Sequence, residues 1–131
     1  MDNSIIDKFH ALTRGLLTRD RSLLDVITRL QESNAKLNRS IAKSVTKCGC
    51  ISLEAKKQHF PENSDLSSLP IYADDHILGH LCLSCRKNVE LLLGDNLFYL
   101  ACLCNALDMN LGDIMEQELD RCNMLGKFNL K

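Results

Sequence analysis

The sequence is short of tryptophan, proline and long apolar runs, and these shortages exclude several structures. It has no tryptophan and only two prolines, Pro61 and Pro70, both in the middle of the chain. Long helices are therefore allowed on either side of that region, because proline is the residue that most strongly breaks them. The wholly apolar runs are only a few residues long, far below the ~20 residues that a membrane-spanning helix needs. We therefore predict no membrane segment.

An excess of charge of either sign is also lacking. Sixteen Lys and Arg residues stand against 17 Asp and Glu residues, so the formal net charge is −1. This balance predicts neither a nucleic-acid partner nor an anionic membrane surface. The first residues, MDNS, lack the basic region and apolar stretch of a signal peptide. We expect a cytoplasmic protein, in which thiols stay reduced.

Leucine-rich periodicity predicts an all-α fold in a single domain, residues 1–131. Apolar residues at helical spacing indicate four main helices, over residues 4–17, 22–47, 82–107 and 111–125. Ser22 and Asn110 each precede an aspartate by three residues, which is typical of a helix cap. The apolar face of the second helix consists of six residues: Leu23, Ile27, Leu30, Leu37, Ile41 and Val45.

The segment between the second and third helices has no helical period. Residues 51–59 suit either a short helix or a strand, and residues 61–75, rich in Pro, Asn, Ser and Asp, predict a surface loop. Cysteines flank this segment, so we treat residues 48–85 as an insertion in the helical domain. A loop of this length in a small domain is usually functional or held by something.

Two cysteine pairs lie at the edges of the insertion. They are Cys48 and Cys50 on one side, and Cys82 and Cys85 on the other. Tetrahedral Zn²⁺ takes four thiolates at about 2.3 Å, and each short pair can supply two of them. The layout predicts a structural four-cysteine zinc site. An iron–sulfur cluster, a redox dithiol at Cys82 and Cys85, and four free or buried thiols are the alternatives.

The remaining cysteines and the histidines are assigned lesser roles. Cys102, Cys104 and Cys122 lie in helical patterns and are predicted to pack in the interior. Any one of His59, His76 and His80 could replace a cysteine as ligand, although each suits a surface loop. His10 has the pattern of an ordinary helix-surface residue.

The third and fourth helices carry a family resemblance. LGDNLFYL at 93–100, followed by LCNALDMNL at 103–111, resembles the MazG-like all-α nucleoside triphosphate pyrophosphohydrolases. The resemblance covers about half of the chain, and the cysteine pairs are not part of the common family pattern. It implies an antiparallel four-helix bundle that forms homodimers or tetramers. It also implies carboxylates from two helices holding Mg²⁺ against a nucleoside triphosphate.

Carried over position by position, the implied magnesium site is incomplete. The family's Glu-Glu-x-x-Glu pattern falls on Glu32, Ser33 and Lys36, and its Glu-x-x-Asp pattern falls on Leu92 and Asp95. Glu32 and Asp95 are the retained acidic positions. Lys36 places a positive charge where a cation would bind, although it could contact a phosphate directly.

Three functions follow from these positions. The first is a zinc-stabilised nucleotide-binding or interaction module with a degenerate magnesium site. The second is an active Mg²⁺-dependent nucleoside triphosphate pyrophosphohydrolase. The third is a metal or redox sensor.

Overall fold

The fold is mostly helical, as predicted. A computed structural model describes residues 4–16, 21–65 and 67–125. In these residues there are five α-helices, one π-helical turn and two short strands. The helices are α1 (Ser4–Leu16), α2 (Leu23–Lys43), α3 (Leu69–Tyr72), α4 (Leu83–Ala106) and α5 (Leu111–Leu125). The π-helical turn is Ser44–Cys48, and the strands are β1 (Ile51–Leu53) and β2 (Ile77–Gly79).

The four predicted helices are present, with one difference at the end of the second. The α-helix stops at Lys43 and continues as the π-helical turn to Cys48, after which Gly49 ends it with φ 75°. Glycine adopts this left-handed conformation without a steric penalty. The predicted Leu17 end of the first helix and the Gly126 stop of the last lie outside the described residues.

One of the two predicted helix caps is present and the other is not. The backbone N–H of Asp113 donates to Oδ1 of Asn110 at 2.9 Å, so the cap of α5 is confirmed. Ser22 occupies the N-cap position of α2, but its side chain makes no cap hydrogen bond, so the predicted capping box is wrong.

The insertion is more ordered than predicted. The undecided segment contains β1, which pairs antiparallel with β2 in the register Ile51↔Gly79 to Leu53↔Ile77. The predicted loop 61–75 includes the single-turn helix α3. The side-chain amide of Gln58 donates to the carbonyl oxygen of Asp74 and accepts from its backbone N–H, at 2.6 and 2.9 Å. Strand pairing and this amide bridge therefore close the base of the insertion.

Helices α2 and α4 run antiparallel, as shown by the polar pairs between them. Nδ2 of Asn88 donates to Oγ of Ser40 at 2.7 Å, and Nδ2 of Asn96 donates to Oδ1 of Asn34 at 2.6 Å. Residue numbers fall along α2 as they rise along α4. The insertion therefore joins adjacent ends of the two helices.

Helix α1 closes the opposite end of the pair. Nδ2 of Asn105 donates to Oγ1 of Thr13 at 3.0 Å, and Oδ1 of Asn105 accepts from Nε of Arg14 at 3.1 Å. The prediction that His10 lies on the surface is wrong, because its side chain is buried. Nδ1 of His10 accepts from the backbone N–H of Leu111 at 3.3 Å. This bond satisfies a donor in the first turn of α5 that has no partner within the helix.

Few apolar residues are buried in the described part of the chain. They are Val26, Ile51, Val89, Ala101, Cys102 and Cys104. Many large apolar side chains on the described helices are exposed instead, among them Ile5 at 76% and Leu24 at 72%. Much apolar helix surface is therefore uncovered.

Helix α4 is the most apolar of the described helices that are long enough to cross a membrane. It is the one described helix that meets the length and composition of a membrane span, and 22% of its apolar window is buried. One such helix is weak evidence for a span, because core helices share these properties.

Candidate metal centre

The four predicted cysteine ligands converge at the junction of α2, the insertion and α4. The sulfurs of Cys48, Cys50, Cys82 and Cys85 all lie within 4.8 Å of one another. The predicted convergence is therefore confirmed. Among the described residues, the cluster contains none of the histidines considered as substitutes, so His59, His76 and His80 lie outside it.

Local structure explains how each pair reaches the cluster. Cys48 ends the π-helical turn, and Gly49 reverses the chain so that Cys50 precedes β1. The pairing of β1 with β2 returns the chain to Cys82, which is the N-cap of α4. Cys85 lies in the first turn of the same helix. The chain reversal at Gly49 and the pairing of β1 with β2 thus bring together cysteines more than 30 positions apart.

The four cysteines are not paired as disulfides, and the geometry of their sulfurs suits a single ion. The Sγ atoms of Cys48 and Cys82 are 3.9 Å apart, whereas a disulfide bond is about 2.05 Å long. All seven cysteines are free thiols. In a tetrahedron with metal–sulfur distances of about 2.3 Å, the sulfurs are separated by about 3.8 Å. The cluster is therefore compatible with a tetrahedral metal ion.

Cys82 is the thiol best prepared for deprotonation. Its Sγ accepts a hydrogen bond from the backbone N–H of Cys85 at 3.4 Å. This bond, aided by the Cys85 side chain, lowers the pKa of Cys82 from 9.0 to about 7. The N-terminus of the long helix α4 also favours the thiolate.

The pKa of the neighbouring thiol, Cys85, is shifted in the opposite direction. The Ser44 side chain favours the Cys85 thiolate, but the Cys82 sulfur and desolvation outweigh it and raise the pKa of Cys85 to about 12. A divalent ion must therefore displace protons from the cluster when it binds. The affinity for metal should fall as the pH falls, because protons then compete more strongly for the sulfurs.

Gly79 is a further residue on which the geometry of the cluster depends, and the sequence analysis missed it. It ends β2 with φ 85°, and a Cβ built on it would lie 2.6 Å from the carbonyl oxygen of Cys50. A side chain there would push apart the two strand ends that carry the cysteine pairs. A glycine three residues before a Cys-x-x-Cys pair is the signal that could have found it.

The other cysteines have different environments. Cys102 and Cys104 are buried in α4, and burial raises the pKa of each. Cys122 was predicted to pack inside, but it is exposed on α5, so that prediction is wrong. Its Sγ lies 3.6 Å from Oε1 of Glu118.

The second predicted site falls on one small cavity between α2 and α4. The cavity has a volume of about 60 Å³. Glu32, Lys36 and Asp95 all line it, together with Arg29, Ser33, Leu92 and Tyr99. The positions carried over from the family resemblance therefore lie together in space.

The charges in this cavity are already compensated. Oε1 of Glu32 is 2.9 Å from Nζ of Lys36, and its Oε2 is 3.6 Å from Nη1 of Arg29. The hydrogen bond from Lys36 lowers the pKa of Glu32. Sequence analysis missed Arg29, although its spacing of three residues from Glu32 on a helix indicates an ion pair.

Ser33 is the polar side chain of this cavity that needs a partner. It is 5% exposed, and among the described residues its hydroxyl has no hydrogen-bond partner. A buried hydroxyl without a partner costs free energy, so a ligand oxygen or a water in the cavity would stabilise it.

Comparison with known proteins finds no matching family model, no matching curated protein and no matching solved structure.

We predict that Gly79→Ala weakens the cluster and Gly94→Ala does not. The first substitution places a methyl group against the Cys50 backbone, whereas a Cβ at Gly94 meets nothing within 4 Å. Gly79→Ala should lower both the bound metal per chain and the melting temperature, by roughly 5 °C or more. Gly94→Ala should raise the melting temperature slightly, because alanine stabilises a helix interior by about 0.5–1 kcal/mol over glycine.

Metal content and melting temperature, measured on both variants, test whether the cluster depends on Gly79. Equal metal content in Gly79→Ala and the parent protein would show that the strand ends do not set the cluster.

Proposed function

We propose that this chain is a zinc-stabilised helical module of MazG-like type. In this proposal it binds a nucleotide or a protein partner and has lost most of the Mg²⁺ site. The observation that carries the zinc part is the group of four cysteine sulfurs within 4.8 Å of one another. The MazG-like part is supported by the motif residues and by the meeting of Glu32, Lys36 and Asp95 in one cavity.

Zinc suits the cluster better than an iron–sulfur cluster. A multi-iron cage is larger than a single ion and holds its cysteine sulfurs farther apart. Four thiolates around one ion without a histidine or an open position are typical of a structural zinc site. The ion would tie the end of α2 to the start of α4 and close the insertion, in a reducing compartment such as the cytoplasm.

A metal or redox sensor remains the alternative use of the same sulfurs. The lowered pKa of Cys82 and the exposure of Cys48 favour it, because thiolate character and access promote oxidation. A sensor would release its metal on mild oxidation and take it up again on reduction.

The zinc role predicts different effects for two cysteine substitutions. Cys82→Ser should abolish stoichiometric zinc and lower the melting temperature on the order of 10 °C, because metal binding contributes to folding. Cys122→Ser, on exposed α5, should change neither. Zinc analysis and thermal unfolding of the two variants test this. Retention of one zinc per chain in Cys82→Ser would contradict the role.

The cavity between α2 and α4 suits phosphate oxygens better than Mg²⁺. A hard cation needs several free carboxylates, but Lys36 and Arg29 already pair with Glu32. A phosphate could accept hydrogen bonds from the Ser33 hydroxyl and from the N–H donors of Lys36 that Glu32 does not use. In this proposal the nucleotide binds through its phosphates without catalysis. An active pyrophosphohydrolase would instead require Mg²⁺ to displace Lys36.

Nucleotide titrations separate binding from catalysis. We expect nucleoside triphosphates to bind without Mg²⁺, and Lys36→Gln to weaken binding about tenfold, by the loss of one charge-assisted contact. Lys43→Gln, on the solvent side of α2, is the matched control. Release of pyrophosphate with Mg²⁺, abolished by Asp95→Asn, would overturn this proposal in favour of the enzyme.

A second copy of the chain is the partner that we propose for the uncovered helix surface. The buried stripe of α2 is Val26, Ser33, Ser40 and, in the turn beyond, Ser44. The six predicted apolar residues lie about 80° around the helix from it, at 100° per residue, and none of them is buried. On this stripe Leu23, Ile27 and Ile41 are exposed, and a second copy packed on them would remove them from water.

Light scattering tests the oligomeric state. We expect a mass of two or four times 14.8 kDa, and Ile27→Lys should shift it toward one chain, because it puts a charge on the apolar stripe. Lys43→Gln again serves as control. A parent protein that scatters as a single chain would contradict the proposal.

A further inference from the structure

Helices α2 and α4 each carry an apolar stripe that points away from the cavity between them. On α2 the six stripe residues centre on the direction of Leu23, and Glu32 lies about 180° around the helix from that direction. On α4 a second stripe is formed by Leu93, Leu97 and Leu100. Its centre lies about 170° around the helix from Asp95. Because Glu32 and Asp95 line the same cavity, the two stripes lie together on the opposite side of the helix pair.

The side chains of both stripes are accessible within one chain. Exposure is between 41% and 54% at Ile27, Ile41, Leu93 and Leu97. The α2–α4 apolar surface is defined by these four residues and by three half-buried ones, Leu30, Leu37 and Leu100. Covering this surface would remove its side chains from water, which is favourable.

Charge is absent from the middle of the α2–α4 apolar surface. All six charged residues of α2 fall within about 80° of arc on the side of that helix opposite the stripe. They are Asp25, Arg29, Glu32, Lys36, Arg39 and Lys43. On α4 no charged residue follows Asp95, and Arg86 and Glu90 form an ion pair with each other. Depletion of charge is the composition that distinguishes the core of a protein interface.

A second copy of the chain is the partner that this surface fits. In a two-fold dimer the same patch lies on both sides of the interface, so a patch with net charge would repel itself. The α2–α4 apolar surface has no net charge, and the Arg86–Glu90 pair near its edge is neutral as a unit. Two helices about 30 Å long and about 10 Å wide offer about 600 Å² per copy. The total of about 1,200 Å² reaches the lower limit for a specific interface.

We propose that two copies of the chain pack together through the α2–α4 apolar surface, so that α2 and α4 of both copies form a four-helix arrangement. The inference rests on the self-association proposed above for the α2 stripe, and it adds Leu93, Leu97 and Leu100 of α4 to the contact. In this arrangement the α2–α4 cavity of each copy lies on the outer side and is complete within one chain.

Two leucine substitutions on α4 form a matched pair that tests this arrangement. Leu97 belongs to the α2–α4 apolar surface, whereas Leu91, 67% exposed, lies about 150° around the helix from the centre of the α4 stripe. Sedimentation equilibrium of the intact zinc-loaded chain should show self-association of the parent and of Leu91→Lys alike. Leu97→Lys should weaken self-association tenfold or more, because each copy would bring a charge into an apolar interface.

Circular dichroism and zinc analysis show whether each variant is folded. Both substituted leucines are exposed within one chain, so helicity and zinc content should match those of the parent. Leu93→Lys, on the same surface, is a second disrupting variant and should behave like Leu97→Lys.

Three results would overturn the inference, and they differ in what they leave standing. A parent chain that sediments as one copy would contradict the self-association as a whole. Dissociation by Ile27→Lys, but not by Leu97→Lys or Leu93→Lys, would keep the α2 stripe as the contact and remove α4 from it. Equal weakening by Leu91→Lys and Leu97→Lys would show that the contact is not confined to this side of α4.

Discussion

Four sulfur atoms meet at the junction of α2, the insertion and α4, and a metal ion bound among them would constrain all three elements. The helices they connect meet along a stripe of small and polar side chains, in which Ser40 and Asn88 form one of the few direct bonds. Such bonds contribute only about 0.5–1.5 kcal/mol each. A metal ion among the sulfurs would add several times that at one end of the pair, and would hold the antiparallel register that places Glu32 beside Asp95.

The opposite end of the helix pair is held by a different kind of contact. Asn105 bonds to both Thr13 and Arg14, and His10 accepts from the start of α5. Asn105, Thr13 and Arg14 also line a cavity of about 390 Å³ at this end of the helix pair. Few apolar residues are buried between the two ends in the described part of the chain, so an ion among the sulfurs would add stabilisation that this core supplies only weakly. A small domain with few buried residues needs such additional stabilisation.

The helices and the cysteine pairs could be predicted from sequence because both signals are local. Apolar spacing marked the helices nearly to their ends, and two close cysteine pairs flanking one segment indicated a shared ion. The pairing of Ile51 with Gly79 could not be predicted, because three-residue strands carry little pattern of their own and their register depends on distant residues. The π-helical turn before Gly49 has no sequence signal that we recognise.

Predictions of burial failed where the burial of a side chain depends on which other element packs against its helix. Periodicity located the apolar stripe of α2 but could not show that α4 packs on Ser33 and Ser40 instead. The sequence predicts His10 on the surface, because its burial depends on the start of α5, which is distant in sequence but lies beside it in the fold. The ion pairs of Glu32 with Arg29 and Lys36 also depend on side-chain rotamers, although the helical spacing of the three residues is visible in the sequence. These pairs leave Glu32 less available as a ligand for Mg²⁺.

X-ray absorption at the zinc edge of the purified chain tests the central claim most directly. The account predicts one zinc per chain, surrounded by four sulfur atoms at about 2.3 Å. A chain that carries no metal, or a zinc bound mainly by nitrogen or oxygen, would contradict it.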